Sequence, residues 1–221
     1  MEMMIVDYLK PREPFKAGNH VARCYSVIDL GTHSGEWQGR VTVSRHVLIT
    51  FEVPIFRHEE KLPDGTVLNM PKVYGKRYSI SMSPKSNLRK HLESWRGGVF
   101  TADEIKGFNL FSLIGVPACI QIIHEKQDDG SIRDSLAGIT SVPEGLETPR
   151  QENPDLPYAF DMAAKRWPPF PAKMPEWVKN KIRESREWKE IYGAGKTIAG
   201  ADAPPAEPAD PAPDATAPRA F

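Results

Sequence analysis

Apolar residues recur at every second position through much of the first 140 residues, the period of strands that turn one face to a core. A first strand is predicted over residues 20–30, with Val21, Tyr25, Val27 and Ile28 as its apolar positions, and Gly31-Thr-His-Ser-Gly35 carries turn chemistry behind it. The clearest strand spans 40–53. There Val47, Ile49, Phe51 and Val53 alternate with His46, Leu48, Thr50 and Glu52, and Pro54 limits the strand or puts its end at an edge. An Asp64-Gly65 turn inside 54–72 predicts a projecting hairpin or long loop, and 73–82 reads as the third strand.

At Ser83-Pro84 the period changes. Leu88, His91, Leu92 and Trp95 fall at i, i+3, i+4 and i+7, one face of a helix that Gly97-Gly98 stops. Thr101-Ala-Asp-Glu104 fits a capping box opening a short second helix. Residues 117–124 and 131–142 read as a fourth and fifth strand around the Asp128-Asp-Gly130 turn. Prolines at 143, 149, 154, 157, 168, 169 and 171 describe an extended segment crossing a surface. Pro175 then opens an amphipathic helix over 175–192, with Trp177, Val178, Lys181, Ile182, Ser185, Trp188, Ile191 and Tyr192 on one face. The expected organisation is an N-terminal arm (1–19), a folded domain (20–145), a Pro-rich extended segment (146–174), the helix (175–192) and a disordered Pro/Ala-rich tail (193–221).

Five strands with the helix between the third and fourth is the element order of the OB-fold, a five-stranded Greek-key barrel with its helix plugging one end. The expected class is mainly β, such a barrel followed by a C-terminal helix and tail. An SH3-like or other α+β arrangement shares these elements.

Composition narrows the picture little. The 221 residues are 40 % hydrophobic and 26 % charged, with 29 basic against 29 acidic side chains, in the range of one globular domain with extensions. Two cysteines, Cys24 and Cys119, lie far apart without metal-ligand spacing, so reduced thiols and no metal are expected. The chain carries no apolar run of membrane-spanning length and its first residues lack a basic n-region, so a cytoplasmic protein without membrane contact is expected.

Charge distribution changes more. Lys72, Lys76, Arg77, Lys85, Arg89, Lys90 and Arg96 face one acid, Glu93, within residues 72–96, with Tyr74, Tyr78 and Trp95 interleaved. Cations that meet phosphates beside rings that stack on bases are what a single-stranded nucleic-acid groove uses. In an OB barrel the second and third strands form the oligonucleotide face, which is where this run falls. The candidate nucleic-acid-binding residues are therefore Trp37, Arg40, Arg45, Lys72, Tyr74, Lys76, Arg77, Tyr78, Arg89, Lys90 and Arg96. One face of the third strand must be core, and Tyr78 shares parity with Ile80 and Met82, so a packing role competes with stacking there.

Nothing in the sequence has catalytic spacing. Glu52, His58, Glu59 and Glu60, and the pair His124-Glu125, match neither a two-carboxylate nor a metal site, and Gly75-Lys76 lacks the other parts of a phosphate loop. No enzyme activity, catalytic residue or cofactor is expected.

Tyr25-Ser-Val-Ile-Asp-Leu-Gly31, Val47-Leu-Ile-Thr-Phe-Glu52, Tyr78-Ser-Ile-Ser-Met82, Ser86-Asn-Leu-Arg-Lys-His-Leu-Glu-Ser-Trp-Arg-Gly97 and Pro175-Glu-Trp177 together resemble a family of phage-encoded, single-stranded DNA-binding-like proteins of replication and recombination modules. The resemblance spans about residues 20–190. It implies single-strand binding without sequence preference in the bacterial host cytoplasm, and it assigns no site residues. The tail is similar in outline to the disordered, acidic, Phe-ended tails of bacterial single-stranded DNA-binding proteins. Residues 197–221 carry Asp202, Glu207, Asp210 and Asp214 against Arg219, net −3, which leaves +3 on residues 1–196. That likeness makes Phe221 a candidate docking tip for a phage recombinase or host replication proteins, although Arg219-Ala220 stands where those tails have an acid and proline.

The expected function is thus coating of single-stranded DNA in phage replication or recombination, by a monomer or by a homo-oligomer formed through strand or helix exchange. The alternatives are a non-enzymatic protein-interaction adaptor on the same barrel and a structural or nuclease-accessory protein.

Overall fold

The computed structural model describes residues 14–37, 39–61 and 64–193, so most of the N-terminal arm and the Pro/Ala-rich tail lie outside the described residues. The period-two stretches form β1 (Gly18–Trp37), β2 (Arg40–Lys61), β3 (Val67–Ser79), β4 (Pro117–Lys126) and β5 (Ile132–Thr140), and a short β6 (Leu156–Tyr158) follows. The fold is mainly β. One sheet runs in the order β3-β2-β1-β4-β5, each neighbouring pair antiparallel, and β6 pairs parallel to β1. The closed five-stranded barrel expected from the element order is not formed: among the described residues β3 and β5 share no ladder, and the sheet is six-stranded and open.

Helix α1 (Asn87–Arg96) stands at the gap between β3 and β5. Its apolar strip of Leu88, Leu92 and Trp95 is buried, and Gly97 ends it at φ 72°, where a residue with a Cβ is disfavoured. The Tyr78 hydroxyl of β3 reaches His91 of α1 at 2.7 Å, and His91 in turn bonds the Ala137 backbone of β5. Trp95 Nε1 donates to the Pro117 carbonyl at 2.8 Å. Helix α2 (Ala102–Gly107) opens with both halves of the Thr101/Glu104 capping box, and one 3-10 turn (Leu110–Leu113) leads into β4.

Two local expectations are corrected and a third is met. The 31–35 stretch is strand: β1 and β2 pair out to Trp37 and Arg40, with Gly39 at φ 73° between them. Gly31 serves a bulge instead (φ 78°), and a Cβ there would lie 2.5 Å from the Ser185 Cβ. The hairpin expected over 54–72 is formed: Arg57–Lys61 pair with Val67–Pro71 beyond a register shift between Val53 and Arg57, and it continues β2 and β3. The single helix expected over 175–192 is two, α3 (Glu176–Arg183) and α4 (Arg186–Tyr192). Ser185 divides them, because its buried Oγ accepts from the Trp188 N–H and caps the second.

Both faces of the sheet centre are covered. Val27, Ile49, Phe51, Val53, Tyr74 and Tyr78 meet α1, Ile120 and Ile139 in the larger core. On the opposite face Ile28 and Leu48 meet Tyr158, Trp167, Met174, Val178 and Ile182 of the C-terminal segment. A fully buried side chain such as Ile182 contributes about 1.5–3 kcal/mol. Carboxylates fix this covering in place. Glu52, fully buried, accepts from the Glu152 N–H, the Asn153 N–H and Asn153 Nδ2, each at 2.9 Å. Asp29 accepts from the Phe160 N–H at 3.3 Å, and Glu187 of α4 accepts from the Thr32 N–H and Oγ1 at 2.8 and 2.7 Å. A buried carboxylate is tolerable here because backbone and amide donors replace its water.

Candidate nucleic-acid interface

Alternation along β3 decides which candidates face outward. Tyr74 and Tyr78 are 5 % and 4 % exposed. Tyr74 packs edge-on against Phe15 with ring centroids 5.5 Å apart, and burial pushes the Tyr78 phenol pKa well above its usual range. Neither ring offers a face to a base, so both are corrected from stacking platforms to core residues. Lys76 lies between them in register opposite Ile49, while Gly75 and Arg77 turn to the other face opposite Thr50 and Leu48.

Three of the candidate cations are held by neighbouring side chains. Arg45 pairs with Asp29, and that hydrogen bond raises its pKa. Arg89 pairs with Glu93 at 2.7 Å and donates to the Met82 carbonyl at 3.1 Å. Arg96 pairs with Glu104 at 2.8 Å and lies over the Phe100 ring, and its hydrogen bond is the largest cause holding the Glu104 carboxyl down at about 2.

Lys72 is half-buried opposite Val53, and Lys90 is exposed on α1. Arg40 is exposed at the far end of the β1–β2 hairpin. Six residues of strand separate it from His46, roughly 20 Å at the usual rise. The Trp37 side chain and Phe221 lie outside the described residues.

The structure brings Lys76 and Arg77 together with Lys85 in a groove of about 590 Å³. Ser79, Ser81, Ser83, Ser86 and Asn87 supply its polar lining, and no carboxylate contributes. His46 also lines it, and its pKa is lowered first by burial and then by Arg77 and His33, so it adds a neutral ring near pH 7. The three cations make no ion pair with a described residue.

A second hollow of about 530 Å³ shares Lys76 and Arg77 with the first. Leu48, Gly75 and Trp177 form its near side, and Glu125, Arg133 and Asp134 contribute from β4 and β5. The Asp134 carboxylate accepts from the Phe15 N–H at 3.1 Å. A third hollow of about 350 Å³ shares Leu48, Gly75 and Trp177 with the second and extends to Tyr25 and Lys173. Burial, with Glu52 nearby, pushes the Tyr25 phenol up to about 12, so it stays a neutral donor. Through these shared residues the three hollows lie in series beside β3.

Sequence reasoning missed Lys173, Arg133 and the position of Trp177, which is 59 % exposed. Helical spacing put Trp177 on the packed face. The strip that buries is Val178, Ile182 and Ser185, and Trp177 sits one residue, about 100°, away from it. Among the described residues no three His, Cys, Asp or Glu side chains are grouped to hold a metal ion, and no helix is long and apolar enough to cross a membrane. Comparison of the chain with protein-family models, curated proteins and solved structures gives no match.

Proposed function

We propose that this chain binds single-stranded DNA without sequence preference along the groove beside β3, and that it coats such strands during phage DNA replication or recombination. The observation that carries the reading is the set Lys76, Arg77 and Lys85, three cations without ion-pair partners among the described residues, in a groove stretch lined by no carboxylate. Phosphate contacts dominate sequence-independent affinity, and an unpaired cation is cheaper to commit to a phosphate than one already held by Asp or Glu. The sheet order supports an OB-type barrel as the finer fold. With a helix between β3 and β4, the order β3-β2-β1-β4-β5 is that of an OB barrel left open between its third and fifth strands. Recruitment of a phage recombinase or host replication proteins through the Pro/Ala-rich tail belongs to the same proposal.

A labelled oligothymidine tests it in competition with unlabelled single strand and with duplex of equal length, followed by fluorescence anisotropy. Displacement by single strand at far lower concentration than by duplex is the expected result. Absence of binding at low salt overturns the reading.

A second reading, a protein-interaction adaptor, draws on Val41 and Val43, which are 79 % and 60 % exposed on one side of the β1–β2 hairpin. It expects alanine at both positions to abolish capture of a partner while charge reversal at Lys76 and Arg77 leaves capture unchanged.

A further inference from the structure

Trp177 is exposed by the way its helix is held. Val178 and Ile182 anchor α3 on the sheet, so the ring one residue earlier is turned out at a fixed angle beside β3. It lines both the second and third hollows of the groove. Gly75 and Leu48 line the same two hollows, and Gly75 presents no side chain there. A Cβ at Gly75 would come within 3.2 Å of Leu48 Cδ1, a tight approach to which the leucine side chain would have to yield. The second hollow thus brings Gly75, Leu48 and the indole together with Lys76 and Arg77, with Glu125, Arg133 and Asp134 across from them, and the same two cations line the first hollow.

We propose that Trp177 is the base-stacking residue of the groove: an unpaired nucleobase lies against its indole above Gly75 while the flanking phosphates meet Lys76 and Arg77. A planar apolar surface next to cations that have no ion pair among the described residues matches a nucleotide, which carries a flat ring and an anion a few ångströms apart. A duplex hides its base faces, so stacking here selects single strands, and because every base has such a face it does so without reading sequence. This assignment rests on the single-strand reading above and names the part of the site that reads the base rather than the backbone.

The test compares the wild type with Trp177→Ala, Trp177→Phe and Gly75→Val, using oligothymidine and an abasic oligomer of the same length. Trp177→Ala is expected to weaken oligothymidine binding roughly 5- to 150-fold, the range for losing one base stack. It should leave the weaker abasic binding unchanged. Trp177→Phe keeps a ring and should retain most of the affinity. Gly75→Val fills the hollow and should reproduce the alanine effect, and thermal melts of the variants report whether the fold persists. Oligothymidine binding by Trp177→Ala equal to wild type overturns the stacking role while leaving the cationic groove in place. Failure of the wild type to bind oligothymidine at all removes the single-strand reading and the stacking role together.

Discussion

The Tyr78 hydroxyl shares a hydrogen bond of 2.7 Å with Nδ1 of His91, and through it β3 is tied to α1 and on to β5. His91 also bonds the Ala137 backbone, so its ring bridges the two sheet edges. Burial first, and Lys76 second, lower its pKa.

The sign of the pH effect follows from that shift. The folded-state pKa lies below the unfolded value of about 6.5, so between the two the unfolded chain binds more protons and stability rises with pH. Stability is fully present above about pH 6.5 and is lost as the pH falls toward the folded pKa. Urea unfolding at about pH 7.5 and pH 5.5 should show wild type losing stability on acidification. His91→Gln should be less stable than wild type at the higher pH and should lose less across the window. The acid-shifted carboxylates Glu93 and Glu104 titrate below this range and do not confuse it.

Glu52 holds the C-terminal covering to the sheet through three donors, two of them on Asn153. Glu52→Ala leaves those buried donors without an acceptor and should destabilise by about 3 kcal/mol, read as a lower urea midpoint. Glu52→Gln keeps one acceptor oxygen and should cost less. Limited proteolysis should cut Glu52→Ala first within residues 146–174.

Two glycines with similar dihedrals separate conformation from contact. At Gly31 (φ 78°) an added methyl group would lie 2.5 Å from the Ser185 Cβ, whereas at Gly65 (φ 88°) it would meet nothing within 4 Å. Gly65→Ala should cost about 1 kcal/mol, the backbone strain alone. Gly31→Ala carries the same strain and also displaces Ser185 from its capping position, so it should cost about 2–4 kcal/mol. Thermal melts of the two variants side by side give the difference.

Much of the sheet was legible in the sequence because period-two patterning is local. Val47 to Val53, Leu88 to Trp95 and the Thr101/Glu104 box carry their own signals, and each stands where its pattern puts it. What was illegible depends on contacts across a hundred residues. Leu48, Thr50 and Glu52 alternate with the apolar positions of β2, yet Leu48 and Glu52 are buried under the C-terminal segment, which no local pattern announces. Gly31 reads as a turn until Ser185 is seen against it. The site divides the same way. The charge of 72–96 was visible, but which cations are taken by Asp29, Glu93 and Glu104 follows from tertiary placement.

The most direct measurement of the central claim is oligothymidine affinity across a salt series for wild type, Lys76→Glu/Arg77→Glu and Arg40→Glu. For the wild type, log affinity should fall linearly with log salt, with a slope near −0.7 for each phosphate neutralised. The double reversal should weaken binding by well over tenfold at low salt and flatten the slope by about 1–2. Arg40→Glu, at the distant hairpin end, should bind nearly as wild type. Salt-independent binding, or a double reversal that binds as wild type does, contradicts a phosphate groove beside β3.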